Sequence, residues 1–112
     1  MTTLFDFTPM EEIYVEPQAT LRDRFEAFDR MNPAIYLELR RLAFQLLNAG
    51  HRKFGVKLLI EQVRWSLMIT TSDPSGFKID NRYTAFYARS LMRREPSLAG
   101  VFSLRASEAD DD

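Results

Sequence analysis

From residue 21 to residue 95, apolar side chains recur at intervals of three and four, the spacing of helices that bury one face. Leu21, Phe25, Phe28 and Met31 make the first run, and Thr20 with Asp23 three positions later predicts a capping box at its start. Asn32-Pro33 restarts the chain, since Asn is a good N-cap and Pro suits the first helical position. Ile35, Leu39, Leu42, Ala43, Leu46 and Leu47 predict a second helix to about Asn48, closed by a left-handed Gly50. A third helix, 56–69, carries Val56, Leu59, Ile60, Val63 and Leu67 on one face. Leu58, Trp65 and Met68 lie off that stripe, so this helix is expected to be central, packed on more than one side, with Trp65 in the core. The run TTSDPSG, 70–76, is a loop. Asp80 is then expected to cap a fourth helix, 81–95, which Pro96 ends.

Shorter apolar runs predict strands. Ile13-Tyr14-Val15 suits an edge strand, and His51 to Gly55 a brief strand or an extended link. Phe77-Lys78-Ile79 alternates, and 101–105 resembles a last strand. The fold class expected is mainly α with a small β-sheet: four helices and two or three short strands. Residues 1–19 carry Leu4, Phe5, Phe7, Ile13, Tyr14 and Val15 between prolines, and predict an arm packed along the domain. Residues 20–106 form a single helical domain, and 107–112 an acidic disordered tail.

Net charge is −1, and its distribution changes what that value means. All fifteen Lys and Arg lie within 21–106, against eight acids there, while 1–20 and 107–112 hold four acids each and no base. A basic body between acidic ends can attract a polyanion, and the ends can fold back over it. On the fourth helix, at about 100° per residue, Arg82, Phe86, Arg89 and Arg93 fall on one ridge. Thr84, Ala88, Leu91 and Met92 occupy the opposite side, and Tyr83 and Tyr87 flank the ridge. Arginines aligned with an exposed or half-exposed aromatic suit phosphate and guanine edges. Lys53, Lys57 and Lys78 would add backbone contacts.

The inventory points away from catalysis. No cysteine is present, which excludes disulfides, thiolate zinc sites and cysteine nucleophiles and suits a reducing compartment. The single histidine, His51, follows a helix-ending glycine in a basic stretch. Glu38 and Glu61 sit among bases that explain them as ion pairs, while Asp73 and Asp80 have turn and cap roles. The glycines lack phosphate-loop spacing. Neither catalytic residue, metal site nor cofactor is expected. The start lacks a signal-peptide pattern and no run is long enough to span a membrane, so a cytoplasmic protein is expected.

The order of helix, short basic strand, helix, linker, capped basic helix and strand over about 32–105 resembles a winged-helix or helix-turn-helix domain. That resemblance implies that the fourth helix enters the major groove. The linker before it is longer than in that family, and no second wing strand follows. A closer likeness is to a family of small bacteriophage and prophage proteins, over about 25–105. It is carried by Asn32-Pro33, Gly55-Val56-Lys57, Arg64-Trp65, Asp73-Pro74-Ser75-Gly76-Phe77-Lys78, Asn81, Tyr83-Thr84-Ala85 and Tyr87-Ala88-Arg89. It implies a phage context, in which the site of action is the host cytoplasm and small proteins often bind nucleic acid or a host protein. The expectation is a non-catalytic DNA-binding protein acting through Arg82, Phe86, Arg89, Arg93, Lys53, Lys57 and Lys78. A homodimer would suit such a binder, although no interface is legible. The alternative is a protein-interaction factor, such as a phage inhibitor of a host defence or replication protein, with Phe5, Phe7 and Tyr14 of the arm at the contact.

Overall fold

The computed structural model describes residues 7–70 and 79–103. Four helices follow in order: α1 (Leu21–Met31), α2 (Pro33–Asn48), α3 (Val56–Thr70) and α4 (Tyr83–Arg94), with single 3-10 turns at Met10–Glu12 and Pro96–Leu98. Among the described residues there is no strand and no sheet, so the expected small β-sheet and winged-helix architecture give way to an all-helical fold. Residues 13–15 and 51–55 form no strand, and Phe77, Lys78, Leu104 and Arg105 lie outside the described residues. Ile79, Val101 and Phe102 are instead buried one by one against the helices, with Phe102 edge-on to Phe54 at 5.6 Å. Short apolar runs can plug a core as single extended segments, and nothing in their composition distinguishes that use from pairing.

Local signals set the helix ends. Thr20 Oγ1 accepts the Asp23 N–H at 3.0 Å while Asp23 Oδ2 accepts the Thr20 N–H at 3.1 Å, a complete capping box. At the end of α2, Gly50 takes φ +100°, a conformation costly for any side chain with a Cβ. Its N–H donates to Leu47 O and the His51 N–H to Leu46 O, the paired bonds of a Schellman stop. Helix α4 starts two residues later than its pattern suggests. Asp80 does not cap it; Asp80 Oδ1 accepts the Arg82 backbone N–H at 2.8 Å and turns the chain just ahead of the helix.

The helices exchange the places expected for them. Both α2 and α4 pack against all three other helices, whereas α1 and α3 each pack chiefly on that pair. Seven of the twelve α4 residues are buried, so α4 is embedded on most of its circumference. Its aromatics meet α1: Phe25 stacks on Phe86 at 5.0 Å and lies edge-on to Tyr87 at 4.8 Å and Tyr83 at 5.6 Å. In α3 the buried set is Leu59, Ile60, Val63 and Leu67, a single stripe. Of the arm, Phe7 lies edge-on to Phe28 at 5.8 Å and Met10 and Ile13 also pack on the core, while Tyr14 is exposed. No described helix is long and apolar enough to cross a membrane.

Tyr87 has an unusual position in this core. It is wholly buried, and among the described residues its hydroxyl is the one buried side-chain polar atom without a hydrogen-bond partner. Burial first, then the charges of Asp29 and Tyr83, push its phenol well above the ordinary value. Above about pH 10 the unfolded chain releases that proton while the folded chain resists. Stability is therefore full below pH 10 and falls as pH rises beyond it. Tyr36 and Tyr83 are shifted the same way, burial again the largest cause. In urea melts, Tyr87→Phe is expected to match or exceed the parent by up to about 1 kcal/mol at pH 7 and to lose less between pH 10 and 11. A loss at pH 7 would mean that the hydroxyl has a partner.

Candidate interaction surface

The ridge expected to read DNA divides once α1 is in place. Phe86 is 4% exposed and Arg89 only 9%, so neither stands on an open face. The Arg89 guanidinium donates to Ala85 O at 3.2 Å and lines a cleft of about 160 Å³ between α1 and α4. Arg22, Arg93 and Arg94 line it too, and so do Glu26 and Asp29 of α1. Asp29 has its pKa raised by burial, with the nearby Arg94 charge working in the opposite direction. The cleft thus brings acids and bases of one chain together. Arg82 is exposed, but its guanidinium grips the Asp80 carboxylate at 2.7 Å, and that hydrogen bond is the largest cause holding Asp80 below the ordinary carboxylate range. Arg93 is exposed.

Other bases are likewise engaged. Arg40 Nε lies 2.9 Å from Glu95 Oε2 and its guanidinium sits over Phe44, while Arg94 lies over the Tyr36 ring at 3.8 Å. Arg41 is held in a bidentate pair by Glu38, both contacts at 2.7 Å. Arg64 binds Glu61, Ile79 O and Asn81 Oδ1, and so ties α3 to the segment entering α4. Lys57 reaches Glu61 at 3.4 Å. Lys53 is exposed next to Arg52 on the extended link, and Lys78 lies outside the described residues. Among the described residues, the structure gathers Arg89 and Arg93 in one cleft, buries Phe86 and leaves Arg82, Arg93, Lys53 and Lys57 exposed.

An apolar surface is found instead on the outside of α3. Leu58, Trp65, Met68 and Ile69 are 59, 61, 54 and 69% exposed. No family model, curated protein or solved structure matches this chain. The surface must therefore be judged on its own chemistry. At 100° per residue Leu58, Gln62, Trp65 and Ile69 align within about 60°, with Met68 on one flank. Exposed apolar residues scattered singly need no explanation, but a contiguous patch of this kind marks contact with something else. The side chains that put α3 off its expected central position were visible in the sequence as the group lying off the buried stripe. Residue type alone does not say which side of a helix has a neighbour, so the sequence pattern suits a second packed side equally well. Of the arm aromatics expected at a contact, Phe7 packs on Phe28, Tyr14 is exposed, and Phe5 lies outside the described residues.

Proposed function

We propose that this chain is a non-catalytic protein-interaction factor that docks through the outer face of α3. The observation that supports this reading is the alignment of Leu58, Trp65 and Ile69, each more than half exposed, on one side of a helix whose other side is anchored in the core. Tryptophan at the centre of such a patch is the side chain most often found to dominate binding energy. Of the flanking charges, Glu61 pairs with both Lys57 and Arg64 along the helix, so the centre of the face is left to select by shape and apolar area. The resemblance to small phage proteins fits this part, which needs no catalytic site, and the cysteine-free chain suits the cytoplasm.

A photo-crosslinking side chain placed at Leu58 in living cells is expected to form protein adducts that disappear when Trp65→Glu is added. Trp65→Glu should leave the circular dichroism unchanged and the stability within about 1 kcal/mol, because the ring is mostly in water. Absence of any protein adduct, with the chain folded, would refute the reading.

A second reading, DNA binding, is favoured by the exposed Arg52, Lys53 and Lys57 around the N-terminal end of α3. Three phosphate contacts predict a log–log salt slope of roughly −3, lost in the Arg52→Glu/Lys53→Glu variant. A shift assay showing no binding at low salt would eliminate it.

A further inference from the structure

The α3 face specifies more than apolar contact, and the argument that follows rests on the protein-interaction reading above. We propose that its occupant is a second copy of this chain, with the two α3 helices crossing antiparallel about a two-fold axis.

The spacing of the exposed residues is the first ground. Leu58, Gln62, Trp65 and Ile69 follow one another at intervals of four, three and four, the seam of a helix that pairs with another helix. The buried stripe of α3 serves the monomer core; this second seam is left over on the outside. A single polar residue within such a seam commonly sets register and partner number, and Gln62 occupies that position.

Symmetry is the second ground. The seam is matched about its own midpoint, between Val63 and Arg64. An antiparallel copy sets Leu58 against Ile69 of the other chain, apolar on apolar, at both ends. It also sets the Gln62 amide against the Trp65 indole, whose N–H can donate to the Gln62 carbonyl. Such reciprocal matching is what an isologous two-fold interface requires.

Charge decides between the two directions. Arg52, Lys53 and Lys57 crowd the N-terminal end of α3 and are exposed. Parallel pairing would bring two such clusters together. Antiparallel pairing separates them by about the helix length, roughly 22 Å for fifteen residues, well beyond a Debye length of about 8–10 Å. It also sets each helix N-terminus near the partner's C-terminus.

Area is the third ground. From their fractional exposures, Leu58, Trp65, Met68 and Ile69 present roughly 500 Å², and a stable interface buries about 800 Å² per partner with a polar rim included. The apolar core of a standard interface is thus available on this one helix, and Lys57, Glu61 and Ser66 are placed to form the rim.

The chain suits a direct test because it has no cysteine and a single tryptophan. Sedimentation of the full chain over a wide concentration range is expected to show a monomer–dimer equilibrium. Trp65 emission should shift to the blue over the same range, and Trp65→Glu should raise the dissociation constant at least about tenfold. A mixture of Leu58→Cys and Ile69→Cys chains should oxidise to the mixed dimer, while neither variant alone cross-links efficiently. A monomer at every concentration, with unshifted Trp65 emission, would overturn the second-copy inference. So would efficient Leu58→Cys self-cross-linking, which signifies parallel pairing. If the monomeric chain still forms Leu58 photo-adducts with a different protein, the interaction reading survives and only the second copy fails. If no protein adduct forms at all, both fail.

Discussion

Arg89→Glu is expected to lower folding stability by about 3–5 kcal/mol, the cost of breaking a buried charge arrangement by changing one member. Against a total of about 5–15 kcal/mol for a domain of this kind, that leaves many molecules unfolded. Arg89 is buried to 9% exposure in the cleft between α1 and α4, donates to Ala85 O, and shares the cleft with Glu26 and Asp29. A carboxylate there would lose that bond and exchange a cation for an anion in a buried cleft that Glu26 and Asp29 line together with Arg22, Arg93 and Arg94. By contrast, Arg82→Glu loses an exposed pair with Asp80 and should cost no more than about 1 kcal/mol. Urea melts of the two variants at pH 7 provide the check. An Arg89→Glu midpoint equal to the parent would show that the guanidinium is not held in the cleft. Loss of any function in Arg89→Glu therefore cannot be read as loss of a DNA contact, whereas Arg52→Glu/Lys53→Glu on the exposed link can.

What was legible in the sequence was local. Thr20 with Asp23, Pro33 at a first helical position and Gly50 after Asn48 act on backbone groups within a turn of themselves, and the structure has all three where the pattern puts them. What was not legible depends on neighbours distant in sequence. Leu58 and Leu59 are the same residue type, one exposed and one buried, because α2 and α4 cover only one side of α3. On α4 taken alone, Phe86 and Arg89 fall on one ridge with nothing to cover it. Phe25 of α1, sixty-one residues before Phe86, closes that ridge by stacking on it. The long arginine stem adds to the ambiguity, since it can line a cleft wall or cross a surface equally well. Val101 and Phe102 have the residue types of a strand, but filling a gap in a helical core asks for the same types.

Asn32 gives the other large effect, and its sequence role was only half visible. It precedes Pro33 as an N-cap does, yet its side chain makes no cap bond to α2. Buried to 2% exposure, its Oδ1 accepts the Thr8 N–H at 2.7 Å, and its Nδ2 donates to Thr8 O at 2.9 Å and Phe28 O at 3.1 Å. One amide thereby fastens the arm to the end of α1, satisfying backbone groups that are out of reach of regular structure. Asn32→Ala is expected to cost about 2–3 kcal/mol, with little dependence on pH below neutrality. Asn32→Asp keeps the shape and the acceptor for Thr8 N–H, but turns the other oxygen toward two carbonyls. As a carboxylate it would be repelled; protonated, it could still donate one bond. Its folded pKa would therefore lie above the unfolded value of about 3.9. The sign follows: below pH 3.9 both states hold the proton, and as pH rises the unfolded chain releases it first, so stability falls. The gap between Asn32→Asp and the parent should widen by up to about 1.4 kcal/mol per pH unit from pH 4 until the folded carboxyl ionises. At pH 7 this variant should be less stable than Asn32→Ala, although it differs from the parent by one exchanged group. Urea melts of the three chains at pH 4, 5.5 and 7 test this, and a gap that stays constant or narrows with rising pH would show that the Asn32 amide does not donate to Thr8 O and Phe28 O.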